Sequence, residues 1–168
     1  KDKTFGKITY FHNKVDDLID TFNKKDPGPP VIWHTYHINR KEATLQGVEA
    51  EVRQMFGNGF SLRGLYTYLD ARNGKDERLP NRPYHKVSLQ LNYEDQKNGW
   101  DATLWNDWTS GYYWDDKNNA ISVLNLVVQK KIDDRFSAYL GIDNILEAES
   151  EAFPYDGRIW RGGVKMTF

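Results

Sequence analysis

The chain has 168 residues, with 23 Lys+Arg against 24 Asp+Glu, a formal net charge of −1 and no Cys. Near-neutrality removes the basic footprint of a nucleic-acid binder, and the missing thiols exclude a disulfide scaffold, a Cys-built zinc site and a thiol nucleophile. Mean hydropathy is −0.78 and no apolar run is long enough for a transmembrane helix, yet 6 Trp, 10 Tyr and 8 Phe crowd this polar chain.

Lys1-Asp2-Lys3-Thr4-Phe5 carries no apolar signal core, so any leader lies upstream or has been removed. A start directly in strand-like sequence reads as a piece of something longer. From there period-2 alternation recurs and helical periodicity is almost absent. It predicts eight strands, at about 4–22, 32–55, 60–71, 84–94, 100–114, 120–131, 136–146 and 158–168, with ends uncertain by several residues. In the first strand the phase is ambiguous, Ile8/Tyr10 competing with Thr9/Phe11. The third places Phe60, Leu62, Gly64, Tyr66 and Tyr68 on one face, and the fourth alternates Val87, Leu89, Leu91 and Tyr93 with Ser88, Gln90 and Asn92. The fifth puts Trp100, Leu104, Trp108 and Tyr112 in one phase, with Asn106 among them. Either a bulge resets that phase or this end stands above an apolar layer. The seventh shows Phe136, Ala138, Leu140 and Ile142. The last carries Trp160, Gly162, Val164, Met166 and Phe168 against Arg161, Gly163, Lys165 and Thr167.

Connection lengths alternate. Short turns fall at 56–59, 95–99 and 133–135; longer polar, Pro-bearing or acidic loops fall around 23–31, 72–83 and 147–157, with a shorter one at 115–119. Short turns on one rim and long loops on the other are the pattern of an outer-membrane β-barrel. Hydrocarbon offers no hydrogen-bond partners, so a spanning sheet must pair its strands and close. Only its lipid face need be apolar, which is how a barrel keeps a strongly negative hydropathy. The surplus aromatics then mark two girdles: Phe60, Tyr68, Tyr93, Trp100, Trp108, Tyr112, Phe136, Trp160 and Phe168. Two other readings share this alternation. One is a self-contained eight-stranded barrel with a structural or anchoring role. The other is a soluble β-sandwich or lipocalin-like binding module.

Several segments carry a resemblance. The stretch Asn39-Arg40-Lys41-Glu42-Ala43-Thr44-Leu45-Gln46-Gly47-Val48-Glu49 follows the spacing N-x-x-x-A-x-x-x-G-V-E. Next come Tyr66-Thr67-Tyr68-Leu69-Asp70-Ala71, the loop exit Leu79-Pro80-Asn81-Arg82-Pro83-Tyr84-His85-Lys86, and Gly141-Ile142-Asp143-Asn144-Ile145-Leu146. The chain ends Arg161-Gly162-Gly163-Val164-Lys165-Met166-Thr167-Phe168, which is similar to the terminal-strand signal that the outer-membrane assembly machinery reads. Strand addition explains such reading, with alternate side chains filling pockets. In this order and spacing the segments resemble the barrel of TonB-dependent outer-membrane receptors, and the resemblance covers essentially the whole chain.

That resemblance implies an all-β, antiparallel up-and-down meander forming the last part of a barrel of about 22 strands. Residues 1–168 would be its C-terminal portion, with the plug domain and TonB box absent. It implies active uptake of a scarce nutrient, most often a ferric siderophore, otherwise haem or cobalamin. Partners would be the outer-membrane bilayer, the plug of the same receptor, the TonB complex, the barrel assembly machinery and a small-molecule metal chelate. No nucleic acid, resident cofactor, metal or enzymatic activity is implied.

The residues divide by role. Arg161, Gly163, Met166 and Phe168 carry the assembly signal. Asn39, Ala43, Gly47, Val48, Glu49, Pro80, Arg82, Pro83, His85, Asp143 and Asn144 read as structural: glycine allows close strand approach, and proline ends pairing because it cannot donate to the ladder. Glu49 and Glu51 fall in lumen phase, where arginines of neighbouring strands can pair with them. Candidate ligand-facing residues are His34, His37, Trp105, Asp107 and Tyr113. His34 and His37 are three apart and so face opposite sides of a regular strand. No nucleophile elbow, phosphate loop or acid–base carboxylate pair appears.

Overall fold

The computed structural model describes residues 3–26, 29–30, 32–114, 117–150, 152–153 and 157–167. Among them there is no helix, and eight strands form one sheet in sequence order. These are β1 (Lys3–Asp26), β2 (Ile32–Met55), β3 (Phe60–Asn73), β4 (His85–Asp95), β5 (Trp100–Trp114), β6 (Lys117–Lys131), β7 (Phe136–Asp143) and β8 (Ile159–Met166). Every neighbouring pair is antiparallel. β1 and β8 do not meet, so among the described residues the sheet stays open. That speaks against the self-contained eight-stranded barrel, which needs a first-to-last pairing that the described residues do not make.

The register sorts the side chains, because directly opposed residues share a face. One row runs Gly6–Val52–Gly64–Leu89–Asn106–Leu124, and the next runs Ile8–Ala50–Tyr66–Val87–Trp108–Ser122. Rows nearer the short turns carry Phe60 opposite Tyr93, with ring centroids 4.6 Å apart, and Phe136 opposite Met166. Toward the long loops Tyr66, Tyr68, Tyr84 and His85 gather. The Tyr66 hydroxyl lies 2.9 Å from His85 Nδ1, and the Tyr68 ring lies 5.4 Å from the His85 ring. An apolar band between two aromatic belts thus crosses the sheet. The phase of β1 resolves in favour of Ile8 and Tyr10, opposite Ala50 and Val48.

The other face is polar and several of its charges are paired. Glu51 accepts from Arg53 Nε at 2.5 Å and from Arg63 Nε at 3.0 Å. Asn92 Oδ1 accepts from Gln90 Nε2 at 2.8 Å and from Thr103 Oγ1 at 3.0 Å. Phe11, the aromatic of the competing phase, lies on this face across Gly47.

Buried side chains sit under the loops rather than between layers. Ala43, Ala71 and Leu79 form a small core, with Val15, Leu18, Leu45 and Leu69 packed on it. Leu79 N donates to Ala71 O at 2.9 Å, folding loop 74–84 back over β3. A second patch, Ile121, Val123 and Asn125, is buried on β6 where the chain after β7 returns and Ile145 N donates to Leu124 O at 2.8 Å.

Three differences from expectation stand beside the earlier start of β6, at Lys117 rather than 120. β1 and β2 pair as far as Asp26–Ile32, so residues 23–26 of the expected loop belong to the ladder. The β7 ladder stops at Asp143 instead of 146, because Asn144 takes a left-handed φ of 51°. The third concerns phase in β5. Asn106 stays on the apolar face, where its Nδ2 donates to Ser122 Oγ at 2.9 Å, so no bulge precedes it. The register shift comes later, between Thr109 and Tyr112, where Gly111 has φ 67°. Tyr112 therefore leaves the girdle: its hydroxyl donates to Asn81 Oδ1 at 3.0 Å and its ring lies 4.6 Å from Phe153. Gly111→Ala should cost about 2 kcal/mol, from a left-handed backbone at a residue with Cβ and from a contact only 2.9 Å from Tyr84 Cβ. The midpoint of thermal unfolding of the folded barrel checks this, and an unchanged midpoint refutes it.

Candidate functional site

The long-loop end of the polar face is where the chain can meet a ligand. Four connections bound it; one side chain ties two of them together, and two more close the last loop on itself. Tyr112 on β5 links Asn81 of one loop to Phe153 of another. Asn144 clips the start of the last loop: its Nδ2 donates to Ala148 O at 3.0 Å and its Oδ1 accepts from Ala148 N at 2.8 Å. Arg158 closes the far end of that loop, donating to Ile145 O from Nη2 at 2.6 Å and from Nε at 3.0 Å. The loop after β3 and the loop after β7 are therefore linked through β5.

Below these loops, Trp105 and Asp107 lie on the polar face, half-buried, opposite Gln90 and Ser88 on β4 and Asn125 and Val123 on β6. The backbone of Tyr113 pairs with Asn118, but its side chain lies outside the described residues. His34 and His37 stand elsewhere. The β2–β3 ladder ends at Ala43–Asn73, so the upper part of the β1–β2 hairpin continues as a two-stranded ribbon. With 24 residues per strand the hairpin reaches roughly 80 Å, far beyond an apolar layer of about 30 Å. His34 is opposite Lys24 and 4.0 Å from Asp26 Oδ2, while His37 is opposite Thr21, so the two imidazoles face opposite sides of the ribbon. β2 and β5 are not neighbours. The candidate ligand residues thus divide into an arm and a wall. Among the described residues no group of three His, Asp or Glu could hold a metal ion.

The motif residues are spread along the sheet and its loops. Asn39 Nδ2 donates to Asp17 Oδ1 at 3.0 Å, holding a residue of β1 whose φ is 57°. Ala43 belongs to the small core, and Val48 faces outward between Tyr10 and Tyr68. Gly47 lets Tyr68 O approach: a Cβ placed there would lie 1.9 Å from it. Glu49 is exposed on the polar face beside the ion-paired Glu51. Around Pro80 and Pro83, the Arg82 carbonyl accepts from Arg78 Nη2 at 3.2 Å, and the Arg78 guanidinium lies 3.7 Å from the Tyr84 ring centroid. His85 belongs to the upper aromatic belt. Asp143 is paired with Arg161 Nη2 at 2.5 Å.

In the terminal strand, the Tyr139 ring edge covers Gly163, and Met166 sits opposite Phe136 at the short-turn rim. Phe168 lies outside the described residues. At the turn before β7, the Lys131 ammonium 2.6 Å away holds the Asp134 carboxyl below its ordinary range.

Sequence reading did not single out Asn125 or Arg158, and it gave Tyr112 only as a girdle aromatic. A lone amide inside the apolar run Ala120–Val128 was a usable signal for Asn125, since a buried amide needs a partner. It has one in Asn144 N, which donates to its Oδ1 at 3.0 Å. The other two depend on loop paths that no local pattern encodes.

An open antiparallel wall, with an apolar band on one face and paired charges on the other, defines a segment of a membrane β-barrel. The sequence profile described as "TonB dependent receptor-like, beta-barrel" matches residues 1–145, and the chain belongs to that family. No curated protein sequence matches it significantly. Solved structures share the fold. One, named "Copper transporter OprC", superposes with a TM-score of 0.79 at 17% identity, covering 99% of this chain and 29% of that one. The siderophore receptor PirA from Acinetobacter baumannii gives 0.71 at 16% identity, covering 98% and 30%. P. aeruginosa FpvA bound to heterologous pyoverdines gives 0.66 at 14% identity, covering 97% and 24%. The chain therefore spans less than a third of the length of each of these structures.

Proposed function

We propose that the chain is the C-terminal wall of an outer-membrane receptor that imports a scarce nutrient as a metal chelate, driven by TonB acting on a plug domain elsewhere in the same protein. The observation that carries this reading is the two-faced register. Apart from the Asn106–Ser122 pair, the central rows put apolar residues toward one side between two aromatic belts, and the opposite face offers ion pairs and amides to a water-filled interior. Within this reading, Trp105 and Asp107 line the interior below the tied loops and contact the arriving ligand. The ribbon bearing His34 and His37 stands in the external medium. The terminal strand is read by the assembly machinery, with Arg161, Gly163, Met166 and Phe168 as the residues read.

A ferric siderophore is the favoured cargo. Bare Cu(I) prefers soft thiolate or thioether ligands, and this chain has no Cys and only 2 Met. Of these, Met55 lies at the short-turn end, away from the loops, and so does Met166. An oxygen-rich chelate instead suits aromatic, amide and carboxylate contacts. Deletion of the gene encoding the full receptor should abolish energy-dependent uptake of at least one of a panel of iron-loaded siderophores, with a proton uncoupler giving the same loss in the parent strain. Normal uptake of siderophores, haemin and cobalamin by the deletion strain would overturn the proposal.

A further inference from the structure

Two of the longer loops meet where the meander alone would keep them apart. Loop 74–84 runs into β4, and the last loop leaves β7, three strand spacings of about 4.8 Å away, or roughly 14 Å. Loops so separated are not neighbours, and each can order or fray by itself. In this sheet both lean on the same short stretch of β5.

The bulge makes that possible. Between the pairs Thr109–Ile121 and Tyr112–Asn119, two residues of β5 stand against one of β6, which turns Tyr112 onto the polar face. Gly111, inside the bulge, leaves room for the exit of loop 74–84: a Cβ there would lie 2.9 Å from Tyr84 Cβ. Beyond it, the Tyr112 hydroxyl donates to Asn81 Oδ1 at 3.0 Å, and the Tyr112 ring centroid lies 4.6 Å from that of Phe153. Different parts of one side chain thus hold different loops. Tyrosine has only two torsions between backbone and hydroxyl-bearing ring, so fixing one contact fixes the position of the other. The contact that forms first pays the cost of ordering the ring, and the second forms at a lower cost.

We propose that Tyr112 couples loop 74–84 to the last loop as one cooperative unit, so that a chelate touching either loop also orders the other. Tyr112 is then a positioning residue, acting through Asn81 and Phe153. The bearing on chelates rests on the import reading above; the coupling itself does not.

Amide hydrogen exchange on the full receptor in phosphatidylcholine vesicles reads the two loops separately. Leu79 N, bonded to Ala71 O, reports on the first, and Ala148 N, bonded to Asn144 Oδ1, reports on the second. Phe153→Ala should speed exchange at Leu79, and Asn81→Ala should speed it at Ala148, each by about fivefold, the worth of one ordinary hydrogen bond. Asn81→Asp keeps the acceptor and tolerates the left-handed φ of 58° at this position, so Ala148 should exchange as in the wild type. In a Tyr112→Leu background both reporters should already exchange fast, and neither alanine substitution should add anything in the opposite loop. Substitutions that loosen only their own loop overturn the proposal. So does an effect of Phe153→Ala on Leu79 that persists in Tyr112→Leu. If Tyr112→Leu does not fold, the two single substitutions and the Asn81→Asp rescue decide alone. No transported ligand enters this measurement, so normal uptake by the deletion strain would overturn the import reading and leave the coupling standing.

Discussion

Gly47→Ala in the full receptor is expected to abolish folding of the barrel. The ideal Cβ would sit 1.9 Å from Tyr68 O and 2.7 Å from the Phe11 ring. A ring can turn aside, but a carbonyl cannot. Tyr68 O belongs to the β2–β3 ladder, which runs unbroken from Ala43–Asn73 to Met55–Ser61, so relief requires the two strands to part at its centre. Both strands are also held on their far sides, β2 by β1 and β3 by β4, so the displacement cannot be absorbed at a free edge. The cost is at least about 3 kcal/mol, the upper end for overpacking a fixed interior. The measurement is the fraction of outer-membrane receptor showing compact, heat-modifiable gel mobility. Two controls calibrate it. Gly163→Ala meets only the Tyr139 ring edge at 2.7 Å and should reduce that fraction modestly, while Gly6→Ala, with open space, should leave it unchanged. A Gly47→Ala receptor that folds as well as Gly6→Ala would refute the account.

The same glycine shows how much was legible beforehand. Alternation is a property of single strands, so the apolar face of β3, β4 and β7 could be read off directly, and the short turns pinned the register of β2 with β3, β4 with β5 and β6 with β7. Gly47 could be suspected of close approach, but not shown to need it, because its neighbours Tyr68 and Phe11 lie 21 and 36 positions away in sequence. Phe11 looked like a phase conflict for the same reason. It is an aromatic on the polar face that fills the gap above a residue without a side chain. Tyr112 was misplaced because a bulge moves every residue beyond it to the other face, and the glycine that makes the bulge resembles any other. The ligand residues were least legible. Whether His34 and Trp105 share a site depends on how far the β1–β2 ribbon outruns β3, and strand length beyond the membrane leaves no periodic mark.

Asn144→Ala is the test of how the rim is held. Asn144 is 2% exposed and has φ 51°, and its amide closes the turn by bonding both N–H and C=O of Ala148. Asparagine tolerates the left-handed region better than alanine, which pays roughly 1 kcal/mol there. Loss of the amide leaves two backbone groups short of partners, and each half-buried bond is worth about 1 kcal/mol. The sum is about 3 kcal/mol, and it falls on the loop, because the β7–β8 ladder from Asp143–Ile159 to Phe136–Met166 contains none of these bonds. The barrel should therefore still form. The loop 144–158 should be cut many times faster in limited proteolysis of intact cells, and chelate affinity should drop, since the loop that holds Phe153 against Tyr112 is released. Asn144→Asp keeps the acceptor for Ala148 N and loses only the donor to Ala148 O, so its cleavage rate should fall between those of wild type and alanine. Asn144→Gly removes the backbone strain but neither lost bond, and should resemble alanine more than wild type. Equal protease resistance across the series would mean that Arg158, donating to Ile145 O, holds the loop without Asn144.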